Sequence, residues 1–546
     1  MKKSFLTALF FYLICAVIFF APVSGNLATS LIGPAEDNMQ TLWNIWWVNQ
    51  PVLVNQEYLF FTKFLFFPEG TSLYFHTLSP YNLALSVILV KFVGIVFTYN
   101  ILLITAFILS GISAYYLIRY LVGGKFIALL GGFIYAFNPY NFAQAQHHLN
   151  IVSIQFVPVF ILFLVKSLRL KRKSDIFWAV VFMVLSALCS WHYFVYLLYF
   201  MFFYYIYLSI KNSKLFLYSE AKVCFFIFSF SVFILLPLLV PLIKNGINYS
   251  IKLDWYYHSN MVADLFGFFT PPSQHLLGEF AFIKSISFKF TGNDWIKVVY
   301  LGLINISILF LMFKYLFRIA KPYIFGMIVF MILAMGEYIH ILGYSLTIPL
   351  PGFFLKYIPL VSSVRCPARF MVFVYLFLGI LVTLALKEIG VKCSKGHFKK
   401  IVFSLLLVLV FIDYYSYSSA VTRVELPRGY DVIEEDSDRG FGILDLPGYP
   451  DKDWWVNCDR YMMYQTLHGR PIVQGAVSRR LGDALIDRLE RENLDLQKKQ
   501  LRLAGVKYII IHKDLIDPAM GFNLVDYRKF YRVIIENNEI VSLQVY

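Results

Sequence analysis

The sequence predicts an all-α polytopic membrane domain of about eleven transmembrane helices, residues 1–419, followed by a small extracytoplasmic α/β domain, residues 420–546. Three observations predict it. First, 59% of the residues are hydrophobic and only 15% are charged, with a mean hydropathy of +0.66, well outside the range of soluble globular chains. Second, the apolar residues fall in long blocks, such as 5–21, 151–165, 223–240, 370–386 and 401–412, close to the roughly 20 residues that a helix needs to span hydrocarbon. Third, the basic residues sit in short clusters between those blocks.

The clusters account for the formal charge of +15 without invoking nucleic acid, because positive residues collect at the cytoplasmic ends of spans. They are Lys2 and Lys3; Arg169, Lys171, Arg172 and Lys173; Lys211 and Lys214; Lys314, Arg318 and Lys321; and Lys387, Lys392, Lys395, Lys399 and Lys400. With these inside, the N-terminus is cytoplasmic, the long loops 23–77, 244–296 and 343–368 are external, and the tail from 420 is external. Lys2 and Lys3 before an apolar stretch imitate a secretory signal, but the segment is kept as the first span because removing it would upset this orientation. The membrane is taken to be the plasma membrane.

Parity is strained between residues 78 and 140, where three apolar segments are separated only by Thr98-Tyr99-Asn100 and Gly123-Gly124-Lys125. One of the three must fail to cross, and the short segment 126–137 before Pro139 is the natural choice. In the first external loop Trp43, Trp46 and Trp47 suggest short helices lying in the membrane interface. In the tail, 441–446 and 506–511 read as strands, 481–504 as an amphipathic helix ended by Gly505, and 530–535 with 540–545 as strands flanking Asn537 and Asn538.

Several chemistries find no motif. The Gly-Gly-Lys at 123–125 lacks the earlier glycine of a phosphate-binding loop, Arg119 standing in its place. No Gly-x-Ser-x-Gly, His-Glu-x-x-His or Cys-x-x-Cys occurs. What remains is a set of polar residues at the external ends of spans: Glu36 and Asp37, His147 and His148, Asp254, His275, and Arg365 with Arg369 around Cys366-Pro367-Ala368. Asp37 can act as a base toward a hydroxyl or simply be a solvated loop acid. Arg365 and Arg369, four apart, can share a helical face and clamp a phosphate, or simply snorkel. His147 and His148 are consecutive, so on a helix they point about 100° apart and do not readily share a metal. Asp254 keeps aromatic company with Trp255, Tyr256 and Tyr257, as sugar sites do, in a chain that is 19% aromatic throughout.

With those residues in place, the chain resembles the membrane glycosyltransferases of the glycosyltransferase C superfamily, which use polyprenyl-phosphate sugars. The resemblance rests on the acid at Glu36-Asp37 ahead of Trp43, on Pro68-Glu69-Gly70 and Pro80-Tyr81-Asn82, and on Ala136-Phe137-Asn138-Pro139 followed by His147-His148. Phe268-Phe269-Thr270-Pro271-Pro272 before His275, and Pro349-Leu350-Pro351 with Val364-Arg365-Cys366-Pro367-Ala368-Arg369-Phe370, extend it. Leu444-Asp445-Leu446-Pro447, Gly469-Arg470-Pro471 and Gly505-Val506-Lys507-Tyr508 carry it into the tail. It implies Asp37 as catalytic base, Arg365 or Arg369 on the donor phosphate, and Glu36, His147, His148, Asp254 and His275 as further substrate contacts. It also implies a polyprenyl-phosphate-linked sugar as donor, an acceptor that the sequence does not name, and inversion at the anomeric carbon. Better-known members carry a second acidic motif where this chain has Gln144, Gln146, His147 and His148, so no metal ligand is assigned and a divalent metal is left open. Two other classes stay open. A lipid or polysaccharide transporter would need polar groups at mid-membrane, of which the chain has few, and matched repeats, of which it shows none. A non-catalytic envelope-assembly protein would tolerate loss of Asp37.

Overall fold

The computed structural model describes residues 2–50, 59–211, 214–248, 260–355, 366–392, 396–415, 420–438, 440–448, 454–517 and 523–546. Asp254 and Arg365 lie outside the described residues. The chain divides into two compact units: Met1–Gly25, Leu102–Leu238 and Lys252–Ser419 form one, while Asn26–Ile101, Leu239–Ile251 and Ala420–Tyr546 form the other.

Six helical stretches among the described residues are long and apolar enough to cross a bilayer: Lys3–Asn26, Pro80–Leu121, Leu149–Leu170, Trp191–Ile210, Tyr218–Ile247 and Pro367–Val391. A seventh is reached if Phe313–Ile319 and Lys321–Ala334, bent by 103° against each other, count as one broken span. The sequence expectation of about eleven counts shorter apolar helices as crossings, such as Lys173–Cys189 with 17 residues, and leaves out the segment 126–137, here the helix Lys125–Ala136 with 12. At 1.5 Å per residue, 12 residues rise only about 18 Å. The helix Pro80–Leu121 runs past Thr98-Tyr99-Asn100 without a turn, and its break lies at Gly94 instead, with φ 74° and ψ 171°. Glycine adopts that positive φ without steric cost.

In the first unit, Lys125–Ala136 is buried from Ala128 to Ala136 and packs on Met371–Lys392. Gly131 and Gly379 face each other there: a Cβ on Gly379 would come within 2.7 Å of the Gly131 carbonyl oxygen, and one on Gly131 within 3.1 Å of the Gly379 carbonyl. Small residues at a helix crossing let the backbones approach in this way. The contact fixes the helix that follows the turn carrying Arg369.

In the second unit, Gly442–Leu446 pairs in parallel with Val506–His512. Ile540–Gln544 pairs antiparallel with Val506–His512 on one side and with Arg532–Glu536 on the other. The hairpin between the last two strands turns at Asn537, whose Oδ1 accepts from the Glu539 and Ile540 amides at 2.8 Å each. The helix expected over 481–504 is shorter, Leu494–Leu503. Its start is set by Asn493, whose side chain accepts from the Leu496 amide at 3.1 Å, while Glu490 gathers the amides of Arg491, Glu492 and Asn493 in a turn. Those acceptors end the chain's irregular stretch more firmly than periodicity extends a helix through it.

The segment 26–77 belongs to this unit. Ser30–Ile32 pairs antiparallel with Val421–Arg423. Asn100 ties the loop down, donating to the Leu27 and Ser30 carbonyls at 2.8 Å each and accepting from the Ile32 amide at 3.1 Å. The helix Asp37–Val48 packs on Trp454–His468. Trp43 and Trp47 are fully buried, with rings stacked 5.7 Å apart, and Trp43 Nε1 donates to Gln465 Oε1 at 2.6 Å. These tryptophans form a protein core rather than the interfacial anchors expected, because a buried indole N–H finds a protein acceptor there.

Candidate functional site

Two groups of polar side chains carry most of the described candidate residues, one in each unit. In the second unit Asp37 opens the helix Asp37–Val48, with Glu36 at the N-cap position. The carboxylate thus stands in the first turn, where the helix dipole favours negative charge. Gln40 Nε2 donates to Asp37 Oδ1 at 3.0 Å, and the Trp455 indole N–H approaches the same oxygen at 3.5 Å. Both donors fix the orientation of a half-buried acid.

The sequence reading missed Asp459, on the helix Trp454–His468, which packs against the helix of Asp37. Asp459 is wholly buried, and neither carboxyl oxygen completes a hydrogen bond with a described residue. Burial pushes its pKa well above the usual carboxylate range; the charge of Asp37 adds to this, the Gln40 amide partly offsets it, and Glu36 adds a little more. Burial therefore favours the neutral form of Asp459 beside Asp37. No periodicity distinguishes it from any other acid in a polar stretch, so only the packing of two segments distant in sequence reveals it.

This burial has a stability consequence. An acid whose folded pKa is raised favours the protonated chain, so its contribution falls as pH rises above the unfolded value of about 3.9. Asp459→Asn cannot ionise. Between pH 5 and 8 the thermal midpoint of the purified wild-type protein is expected to fall more steeply than that of the variant. Parallel slopes in a melting series over that range would remove Asp459 as the source.

In the first unit Arg369 lies in the 3-10 turn Pro367–Phe370 that leads into the helix Met371–Lys392. Its backbone amide donates to the Cys366 carbonyl at 3.1 Å, and the Tyr196 hydroxyl donates to that carbonyl at 3.3 Å. The Arg369 Nη1 donates to His192 Nε2 at 3.2 Å, and the guanidinium carbon lies 5.9 Å from the Trp295 ring centroid. Among the described residues Arg369 Nε is buried without a hydrogen-bond partner, and no carboxylate pairs with the side chain. A guanidinium cannot shed its proton. A cation so placed is open to an anion.

His147 and His148 join the same group. The His148 ring meets Trp295 edge to face at 4.7 Å, the His147 ring is 6.0 Å from it, and Gln144 Nε2 donates to the Trp295 carbonyl at 3.2 Å. His148 is the N-cap residue of the short helix Leu149–Val152, so the two histidines leave the backbone differently from neighbours within one helix. Where the resemblance calls for a second acidic motif, this chain offers imidazoles on an indole and an amide on a carbonyl. That is not the oxygen-rich donor set of a hard divalent cation, and no group of three or more His, Cys, Asp or Glu able to hold a metal occurs among the described residues. No catalytic step is assigned to a metal.

His275 stands apart, in a joint between a loop and a helix. Its Nδ1 accepts from the Leu277 amide at 3.0 Å, and its Nε2 is 3.9 Å from Asp413 Oδ1. Asp413 in turn accepts from the Tyr300 hydroxyl at 2.7 Å and the Ile304 amide at 2.9 Å. Burial lowers the His275 pKa, the nearby Asp413 only partly countering it, so the contact holds the loop as a neutral imidazole.

No protein-family model matches the chain, and no curated protein matches it. Solved structures do share its fold. The oligosaccharyltransferase of Archaeoglobus fulgidus in the apo form is similar over 94% of this chain and 69% of that one, with a TM-score of 0.55 and 12% identity. The same enzyme tethered to an acceptor peptide containing the NVT sequon is similar over the same shares, with a TM-score of 0.52 and 13% identity. ArnT from Cupriavidus metallidurans in the apo state is similar over 98% of this chain and 97% of that one, with a TM-score of 0.54 and 12% identity. At such identities the likeness shows the fold alone and leaves the chemistry to the site.

Proposed function

We propose that the protein is a membrane glycosyltransferase that moves a sugar from a polyprenyl-phosphate donor to an acceptor on the extracytoplasmic face, with inversion. The observation that carries the reading is the guanidinium of Arg369, held at the mouth of an apolar helix with a buried N–H and no carboxylate among the described residues. A sugar phosphodiester carries one negative charge, which one guanidinium matches. A polyprenyl tail would lie in hydrocarbon, where the adjoining helix Met371–Lys392 is apolar. The fold shared with an oligosaccharyltransferase and with ArnT supports the same class.

In the reaction, Asp37 takes the proton of the acceptor hydroxyl as its oxygen forms a bond to the anomeric carbon. The bond from that carbon to the phosphate oxygen breaks, and the polyprenyl phosphate leaves with the electron pair, its charge met by Arg369. Phosphate is a good leaving group, so a single carboxylate suffices. Glu36, Arg365, His147, His148, Asp254 and His275 remain candidates for substrate contacts.

Incubating the purified protein with a panel of radiolabelled polyprenyl-phosphate sugars and envelope acceptors is the direct test: transfer from at least one donor supports the reading, and none from any donor opposes it. The orientation has its own test. A reporter fused after Tyr546 is expected to be active only on the outer side, because the basic clusters place the tail there. An internal signal would reverse the assignment of the external face.

A further inference from the structure

Arg369 has one polar side-chain neighbour whose role the reaction above does not use. His192 is the second residue of the helix Trp191–Lys211. Its Nε2 lies 3.2 Å from Arg369 Nη1, and its Nδ1 lies 3.1 Å from Ser190 Oγ. A guanidinium has donors only, so the Arg369 contact requires a lone pair on His192 Nε2. The imidazole is then neutral with its proton on Nδ1, and that proton is donated to Ser190 Oγ. Ser190 sits in extended backbone between two helices, with φ −162° and ψ 133°, so its hydroxyl is set by the helix junction rather than by a flexible loop.

We propose that His192 is a positioning residue for Arg369: through the relay from Ser190 to His192 to Arg369 it fixes the guanidinium fork so that its remaining N–H groups meet the phosphate of the donor. This rests on the reading of Arg369 as the phosphate-binding group. An arginine side chain is rich in rotamers, and holding its fork before the ligand arrives removes an ordering cost from binding. The backbone is already held by the Cys366 carbonyl, so His192 supplies the second point that defines the plane of the fork.

The test measures binding of a short-chain polyprenyl phosphate, and separately of inorganic phosphate, to the full-length protein in detergent by calorimetry. His192→Leu keeps bulk but cannot accept, and is expected to weaken polyprenyl phosphate binding about tenfold, the lower end for a hydrogen bond to a charged group. His192→Gln places a carbonyl oxygen near the former Nε2 and is expected to stay within about threefold of wild type. Ser190→Ala removes the group that sets the tautomer and is expected to weaken binding in the same direction as His192→Leu. Inorganic phosphate, which reads the head group alone, is expected to follow the same order.

The outcomes separate. If Arg369→Ala leaves binding unchanged, the reading of Arg369 fails and the positioning role falls with it. If Arg369→Ala weakens binding while His192→Leu does not, the positioning role alone is overturned. Equal losses in His192→Leu and His192→Gln would show that the ring is needed for packing and not as an acceptor, which also overturns it. Should His192→Leu fail to fold, His192→Gln and Ser190→Ala decide: wild-type affinity in Ser190→Ala overturns the relay, and a loss there with His192→Gln near wild type supports it.

Discussion

Asp37→Asn is expected to lower turnover by about 10²–10⁴-fold, the range that a positioned general base supplies, in a protein that still inserts and folds. Asparagine keeps the size of the side chain, and its carbonyl oxygen can still accept from Gln40 Nε2, the 3.0 Å contact that orients the acid. The first turn of the helix Asp37–Val48 is also kept. What is lost is basicity, since an amide does not take the proton of an acceptor hydroxyl. The loss therefore belongs in kcat, while affinity for the donor phosphate is expected to be unchanged. Initial rates with a labelled donor at saturating concentration measure this. Turnover retained within about tenfold of wild type would take the base role from Asp37.

The membrane class was legible because the signal is physical and cumulative. A helix in hydrocarbon must satisfy its own backbone and bury no charge, so the apolar blocks and the basic punctuation between them had to appear in the sequence. The division of those blocks was less legible. Pro80–Leu121 reads as two segments split at Asn100, yet Asn100 serves as a side-chain tie for the segment 27–32, and the chain bends at Gly94. A polar residue in an apolar run marks a turn only where no protein partner awaits it.

The tail shows the same limit from the other side. Its strands were legible because 441–446 and 506–511 are short, mostly apolar runs, interrupted only by Gly442 and Asp445 in the first and by Lys507 in the second, and are found as the adjacent parallel strands Gly442–Leu446 and Val506–His512. The helix Trp454–His468 was not, because its buried residues include Asn457, Asp459, Gln465 and Thr466, which give no apolar stripe. Those polar residues are buried because the helix packs on Asp37–Val48, and Gln465 meets Trp43 there, an arrangement between segments hundreds of residues apart. The candidate site followed that pattern. Asp37 and Arg369 stood out as charges at the ends of apolar spans, whereas Asp459 and His192 gain their interest only from what packs against them.

The second large effect is expected at Arg369. Arg369→Ala removes a fork for which no other arginine or lysine stands in its group among the described residues, and is expected to weaken donor use about 100-fold, the upper end for a charge-assisted hydrogen bond. Arg369→Lys keeps the charge and loses the planar geometry: an ammonium cannot donate in one plane both to His192 Nε2 and to a phosphate oxygen. It is therefore expected to recover only part of the loss, leaving donor use about tenfold below wild type. Because the guanidinium meets phosphate before and after the anomeric bond breaks, the deficit should appear in affinity for the donor and for polyprenyl phosphate product alike, with a further loss in kcat where charge grows on the leaving oxygen. Kinetics with varied donor, paired with product-binding measurements on the same preparations, separate these parts. Lysine restoring full activity would mean that charge alone suffices and that the fork does nothing. Alanine leaving affinity and turnover unchanged in a folded protein would mean that Arg369 merely snorkels and that the donor phosphate is held elsewhere.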